Sequence, residues 1–479
     1  MGDLAHPWAP RAFGRLRRGQ PERFRLIALS AVLAVPASAA SSYQVLVAGI
    51  DTSADPAQAA VKVRELPGGT PNTIDLGDGA QRAYGVAVHA SATEAFATVE
   101  TDDYTSAEVS PITRPFTFTD GVCNGTVGAP LLTVGGADAS FDIDGGIVVS
   151  GNVVAVLNDS YGSYGVYLFG YTLSGEGPGS ASDPDFASLP FEPIAITANS
   201  AGLVAVSGRG GSTGVEAESA PSDGADASLC TASDDYFPGC VWTFSVSPLV
   251  DEPAVTTAML DPSGDNVNCD DSSCDDVYPG IQGIVGSPVN GDIYVTDNYN
   301  DGVWQMNSPY GAELRFQWLS GVEQPQAITI NTSGNTLYLS DGYDPHAYQV
   351  DLSDSEISSS TASELEDLTG NSAEPCQIGT VLSPDGSAAL VLDADDCDNV
   401  GPSYVDEVQT GSFTNSFSQY DPLFNAGGMA VVPVAGPVLA TATSLPITGA
   451  GLPIALAAAL ILAGVVALGA SAILRRRVA

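Results

Sequence analysis

Aspartates crowd one polar segment of the chain, and their carboxylates could bind a cation. Those of residues 261–276 are Asp261, Asp265, Asp270, Asp271, Asp275 and Asp276. Calcium prefers oxygen ligands of this kind, although the spacing does not follow the EF-hand order. No cofactor is established by the sequence; calcium is the one it suggests, with the first four aspartates as candidate ligands. The alternative is an acidic loop whose carboxylates face water.

Sequence motifs assign no catalytic residue. The chain has no GxSxG elbow, no HExxH pair and no phosphate-binding loop. Beyond the N-terminal leader its only histidines are His89 and His346, which fall in or beside predicted strands. Each could face a central channel, but a structural role is the favoured interpretation. We therefore predict no catalytic set.

The seven cysteines suit an exported protein, in which disulfides persist. Local pairs are expected between Cys230 and Cys240, Cys269 and Cys274, and Cys376 and Cys397, with Cys123 left over. No pair has CxxC spacing, so a zinc–thiolate site is not expected.

The charge of the exported part of the chain is strongly negative. Between the leader and the C-terminal arginines, six basic residues face 55 acidic ones. The six are Lys62, Arg64, Arg82, Arg114, Arg209 and Arg315. Such a surface repels phosphate backbones and anionic lipid, so no nucleic-acid partner is expected. A cation-dependent binding surface and a solvated acidic shell both remain open.

A recurrent unit organises the body that must position these groups. It begins with a Gly- or Pro-led apolar strand, continues through a polar turn into a second strand, and ends in a third after an Asp/Asn/Gly stretch. The clearest copies start at Ile281, Pro325 and Pro375, and weaker ones start near Tyr84, Phe141 and Pro193. In the copy at Pro325 the strands are expected at residues 325–330, 337–341 and 347–350. Long insertions at residues 210–229 and 251–277 enlarge the copy at Pro193, and binding usually occurs on such loops.

The two ends of the body complete the pattern. Residues 427–432 read as an inner strand without partners, whereas residues 43–48 and 61–66 read as strands without an inner strand. Pairing these ends would remove exposed sheet edges. We therefore predict an all-β fold, a seven-bladed β-propeller closed by N- and C-terminal strands, with tandem β-sandwiches as the alternative. The strands and the turn Ser383-Pro384-Asp385-Gly386 resemble YVTN/NHL-like propeller repeats, a resemblance of fold that implies little chemistry.

A secretion signal is predicted at the N-terminus. Arginines precede an apolar run at residues 26–35, and Ala37 and Ala39 then form the small-x-small pattern of a signal-peptidase site. The apolar run is too short to span a hydrocarbon core of about 30 Å. Cleavage near residue 40 is expected.

The C-terminus has three features in a set order. The pentapeptide consists of Leu445, Pro446, Ile447, Thr448 and Gly449. An apolar run at about residues 452–474 and a tail of Arg475, Arg476 and Arg477 follow it. The run is long enough for a membrane-spanning helix, and the tail would stay cytoplasmic. This order resembles the LPxTG sorting signal of Gram-positive, actinobacterial-like surface proteins; a plain single-pass anchor is the alternative.

The resemblance implies that a sortase cleaves after Thr448 and transfers the chain to a cell-wall precursor. The expected organisation is a leader and signal peptide (residues 1–40), a propeller ectodomain (41–433), a linker (434–444) and a sorting signal (445–479). We predict an extracellular, wall-anchored protein that spans the membrane before sorting and binds an unidentified protein or glycan. The alternative is a calcium-dependent hydrolase or lactonase-like propeller on the same surface.

Overall fold

In the computed structural model, every regular element of the described residues is a β-strand. The described residues are 43–53, 57–66, 68–69, 72–76, 80–89, 94–101, 106–113, 118–119, 122–123, 126–135, 146–158, 164–174, 177–189, 191–198, 202–210, 239–246, 255–260, 281–306, 314–319, 322, 324–341, 346–352, 360–364, 376–394, 403–410, 414–421 and 424–433. Within these ranges no helix is long and apolar enough to cross a bilayer. The predicted span at residues 452–474 lies outside them.

The strands form seven sheets of four or five strands and one two-stranded ribbon. The first sheet, the closing sheet, contains β1 (Tyr43–Asp51), β2 (Gln58–Leu66), β3 (Asn72–Asp75) and, from the far end of the chain, β32 (Phe424–Pro433). The second contains β4 (Ala80–Val88), β5 (Glu94–Thr101), β6 (Ser106–Thr113), β9 (Thr126–Val127) and β10 (Leu132–Gly135); β7 (Phe118–Thr119) and β8 (Val122–Cys123) form the ribbon. The third contains β11 (Ile147–Ser150), β12 (Val153–Asn158), β13 (Gly165–Ser174), β14 (Gly177–Ala181) and β15 (Asp185–Ser188).

The remaining four sheets are antiparallel and keep chain order. The fourth contains β16 (Phe191–Ala198), β17 (Leu203–Gly210), β18 (Gly239–Ser245) and β19 (Val255–Leu260). The fifth contains β20 (Ile281–Gly286), β21 (Ile293–Asp297), β22 (Gly302–Met306) and β23 (Leu314–Trp318). The sixth contains β24 (Pro325–Ile330), β25 (Thr336–Asp341), β26 (His346–Asp351) and β27 (Ser360–Glu364). The seventh contains β28 (Cys376–Leu382), β29 (Ala388–Ala394), β30 (Ser403–Gln409) and β31 (Thr414–Asp421).

One edge strand of each sheet contacts its counterparts in the neighbouring sheets. These inner strands are β4, β11, β16, β20, β24, β28 and β32. Each contacts the next in this order, and β32 contacts β4 again. The sheets therefore form a ring around a common centre, which does not fit the tandem-sandwich alternative.

Burial on both faces explains the second strand of each sheet. In β1, Leu46 and Ala48 pack toward the second sheet, whereas Val45 and Val47 pack toward the seventh. Successive side chains of a strand point to opposite faces, so a strand between two neighbours is apolar at almost every position. Similar clusters fill the space between each of the remaining pairs of adjacent sheets.

The predicted pairing of the chain ends is confirmed. β1 pairs antiparallel with β32 from Tyr43 opposite Pro433 to Asp51 opposite Phe424, with a bulge next to Ala48. The two ends of the body thus share one sheet, and no inner strand of the ring is left without a neighbour. This sheet contains a buried ion pair, in which Lys62 Nζ lies 2.7 Å from Asp51 Oδ2.

Candidate functional site

The inner strands enclose a cavity of about 430 Å³ at the centre of the ring. All seven contribute to its wall, together with Gly146, which directly precedes β11. A cavity of this size lies in the range of small-molecule sites, about 300–1,000 Å³. The described lining combines small residues, branched aliphatic residues and a few polar ones.

Small residues hold the inner strands close together. A Cβ on Gly283 would lie 2.5 Å from the carbonyl oxygen of Gln326, and one on Gly428 would lie 2.7 Å from that of Tyr84. Real Cβ atoms do not approach backbone oxygens so closely, so glycine is required where the strands meet. The small residues Ala195 and Ala327 line the cavity as well.

Hydroxyl groups of the second strands brace these close approaches. Thr98 Oγ1 accepts from Gly85 N at 2.8 Å, and Thr296 Oγ1 accepts from Gly283 N at 2.7 Å. Thr296 also donates to the carbonyl oxygen of Gln326, 2.7 Å away in the neighbouring sheet. The inner strands bulge near these small residues, which frees the N–H groups from the ladder.

Three polar atoms of the wall are buried without a hydrogen-bond partner among the described residues. They are Arg82 Nε, Gln326 Oε1 and Thr380 Oγ1. Thr380 is 7% exposed. Buried polar groups are normally satisfied, so unpaired ones that share a cavity identify a place where a polar ligand can bind.

Arg82 is held in place by Tyr84. Its Cζ lies 4.6 Å from the centroid of the Tyr84 ring, and the Tyr84 hydroxyl donates to Glu100 Oε2 at 2.7 Å. This stacking orients the guanidinium. Among the described residues that line the cavity there is no carboxylate.

Polar or aromatic residues precede several of the small residues of the wall, and branched aliphatic residues follow most of them. Tyr84, Gln282 and Gln326 each directly precede a small residue. Branched aliphatic residues that follow this position are Val86, Ile147, Ile196, Ile284 and Ile328. The cavity can therefore offer a ligand both polar and apolar contacts.

Most of the predicted site residues lie outside the described residues. This holds for the calcium candidates Asp261, Asp265, Asp270 and Asp271, and for the signal-peptidase, sorting and tail residues. In the described part of the chain no group of three or more metal-ligating side chains comes together. The calcium and sorting predictions therefore remain predictions.

Of the cysteines in the predicted pairs, Cys240 is the one whose side chain is described. Cys240, in β18, is buried and disulfide-bonded. Its predicted partner Cys230 lies outside the described residues, as do Cys269, Cys274 and Cys397. Cys376 begins β28, but its side chain is not described.

The two histidines are not among the described cavity residues. His89 follows β4 and is buried, and its backbone N–H donates to the Glu94 carbonyl oxygen at 2.9 Å. Its ring centroid lies 6.5 Å from that of Tyr171, whose hydroxyl donates to the Glu94 carboxylate. His346 begins β26 beside Tyr348.

Sequence reasoning located the inner strands but missed Arg82, Gln326 and Thr380. The sequence did contain a signal for the position that the inner strands share at the cavity. A glycine or alanine recurs in every inner strand or directly before it, as at Gly85, Gly146 and Ala327. The side chains next to that position were not treated as a set. Only the ring brings them together.

Asp51, Asp297 and Tyr294 are ionisable groups away from the cavity that interact with neighbouring residues. Burial opposes ionisation of Asp51, but hydrogen bonds from Lys62 and Ser53 outweigh this effect and lower its pKa. Asp297 accepts from Trp304 Nε1 at 3.0 Å and from Asn300 Nδ2 at 2.9 Å. Burial and the charge of Asp292 raise the pKa of Tyr294 to about 12.

Comparisons with known proteins identify the fold and nothing finer. No family model and no curated protein matches the chain. A protein from Lactobacillus plantarum matches with a TM-score of 0.50 at 11% identity over 82% of this chain and 99% of that one. Apo AztD from Citrobacter koseri has a TM-score of 0.49 at 14% identity, over 83% and 100% of the two chains. A functionally unknown protein from Desulfotomaculum acetoxidans has 0.49 at 11%, over 81% and 98%. The ring of sheets around a common centre is a β-propeller-like fold.

Proposed function

We propose that this chain is a surface-displayed binding protein, a seven-bladed β-propeller secreted from the cell and joined to the wall by a sortase. In this proposal each of the seven sheets is one blade, and the closing sheet is the blade that joins the chain ends. The sequence order of signal peptide, ectodomain, pentapeptide, apolar run and basic tail supports the anchoring.

The central cavity is the observation that carries the binding role. Its wall offers one cationic group, amide and hydroxyl groups without partners, and an apolar surface. Binding sites usually combine a mainly apolar wall with a few convergent polar groups. A protein or glycan outside the cell is the proposed partner.

A calcium-dependent hydrolase on the same fold is the second candidate. The aspartates of residues 261–276 favour it, because oxygen ligands could hold the ion that such an enzyme needs. A hydrolase should also bring acidic or amide side chains from several blades to one metal. The described wall of the cavity contributes amides but no carboxylate, which favours binding over metal-assisted hydrolysis.

Fractionation of host cells tests the anchoring. The chain is followed by immunoblot, before and after muramidase digestion of the wall, in strains with and without the sortase. We expect release by muramidase in the sortase-positive strain only, and membrane retention of a Thr448→Ala variant in both strains. Membrane retention of the unaltered chain in both strains would overturn wall attachment and leave a single-pass anchor.

A further inference from the structure

The chemistry of the cavity wall indicates which class of ligand it binds. This inference rests on the binding role proposed above. Arg82 is one of only six basic residues between the leader and the C-terminal arginines. Its guanidinium lines a cavity with no carboxylate among the described wall residues. A planar guanidinium fork matches a carboxylate in two parallel hydrogen bonds. The wall therefore has a place for one carboxylate.

The amide groups of the wall select what lies next to that carboxylate. Gln326 Oε1 is a buried acceptor without a donor, and Thr380 Oγ1 can both donate and accept. A peptide N–H supplies the donor that Gln326 lacks. The backbone of Gln326 is fixed, because Thr296 donates to its carbonyl oxygen at 2.7 Å.

The aliphatic side of the cavity selects an apolar side chain. Ile284 and Ile328 are 8% and 7% exposed, and with Val86 they contribute apolar surface to the cavity wall. A phosphate group would call for more than one cation. A sugar would call for aromatic rings to stack on, and Tyr84, already covered by Arg82, is the one aromatic ring in the described wall.

We propose that the central cavity binds the C-terminal end of a short apolar peptide. The terminal carboxylate pairs with Arg82, the adjacent peptide N–H donates to Gln326 Oε1, and the apolar side chains lie against the isoleucines. A volume of 430 Å³ accommodates about two or three residues. Arg82 and Gln326 come from different sheets, so the ring must be intact for both to bind.

Calorimetric titration of the full chain in a non-ionic detergent tests the proposal with two probes. The probes are N-acetyl-leucyl-leucine and its C-terminal amide, which differ only in the terminal charge. We expect the acid to bind about 10- to 100-fold more tightly than the amide, the range for a charge-assisted pair. Arg82→Gln should remove this preference, so that the acid and the amide bind this variant with equal affinity. Arg82→Lys, which retains charge but not the fork, should give an intermediate preference.

Arg64→Gln is the matched control. Arg64 lies in β2, where its Nε donates to the Gly69 carbonyl oxygen at 2.7 Å, and it does not line the cavity. This variant should keep the preference for the acid. Gln326→Leu should weaken both probes, because each carries the peptide N–H.

Two results would overturn the inference. One is equal affinity of the unaltered chain for acid and amide, or a preference that survives Arg82→Gln. The other is binding of neither peptide by a chain whose thermal midpoint shows that it is folded. Release from the wall by muramidase is decided independently, so loss of peptide binding alone leaves the surface role standing.

Discussion

Thr296 links two neighbouring sheets through one hydroxyl group. Its Oγ1 accepts from Gly283 N in its own sheet and donates to the Gln326 carbonyl oxygen in the next, both at 2.7 Å. The side chain is fully buried. Thr296→Val keeps the shape but removes the hydroxyl, so a backbone donor and a backbone acceptor both lose their partner.

The expected cost follows from those two groups. An unsatisfied buried polar group costs about 1–3 kcal/mol. Because Gly283 and Gln326 are half-buried, the lower part of this range applies to each. We expect Thr296→Val to lower the free energy of unfolding by about 2–4 kcal/mol. Thr296→Ser keeps the hydroxyl and should cost about 1 kcal/mol, the contribution of one methyl group.

Urea unfolding followed by tryptophan fluorescence measures the difference. With a slope of about 3 kcal/mol/M, Thr296→Val should shift the midpoint down by about 1 M. Thr332→Val, at an exposed turn position, is the control and should stay within about 0.5 kcal/mol of the unaltered chain. Equal midpoints for Thr296→Val and Thr332→Val would refute the bridging role.

Three further predictions concern charge. Lys62→Met leaves Asp51 buried without its ion pair and should cost about 3–5 kcal/mol at pH 7. Because the pair lowers the pKa of Asp51, stability should fall with acidification in the unaltered chain; the cost of Lys62→Met should therefore be smaller at pH 3, checked by urea midpoints. Burial raises the pKa of Tyr294 to about 12 in the folded chain, against about 10 in the unfolded chain. The free energy of unfolding should therefore fall as the pH rises above 10, by about 1 kcal/mol at pH 11. Tyr294→Phe should make this alkaline loss of stability smaller, as measured by thermal unfolding scans. Raising salt should strengthen binding of the peptide acid but not of the amide, because screening weakens repulsion by a chain of net charge −42; no salt effect in the titrations would contradict this.

Strands with local signals could be predicted closely. β24 (Pro325–Ile330) has the expected bounds, and β25 and β26 begin one residue before theirs, because turns rich in glycine and asparagine separate strongly β-forming runs. The outermost strands were missed. β27 has the polar sequence STASE, and its strand character comes from pairing with β26. Such an edge strand leaves little trace in hydrophobic periodicity.

The site depended on long-range geometry that periodicity does not contain. Arg82 and Gln326 are far apart in the sequence and face one cavity only because β4 and β24 belong to the same ring. The predictions based on local composition, such as the acidic segment, concerned residues outside the described part of the chain. The position of a side chain along its own strand could be predicted from the sequence. Which side chains from different strands line the same cavity could not.

Three of the six basic residues of the body have described side chains. Lys62 pairs with Asp51, Arg64 bonds to a backbone carbonyl oxygen, and Arg82 lines the cavity. Each of these three therefore has an internal partner or lines the central cavity. The acidic surface then repels free anions, while Arg82 provides a local cationic point that only a fitting ligand reaches. Arg82→Glu reverses the charge at this position and should therefore abolish binding of the peptide acid. Calorimetric titration would show this, with Arg64→Glu as the control that should still bind the acid.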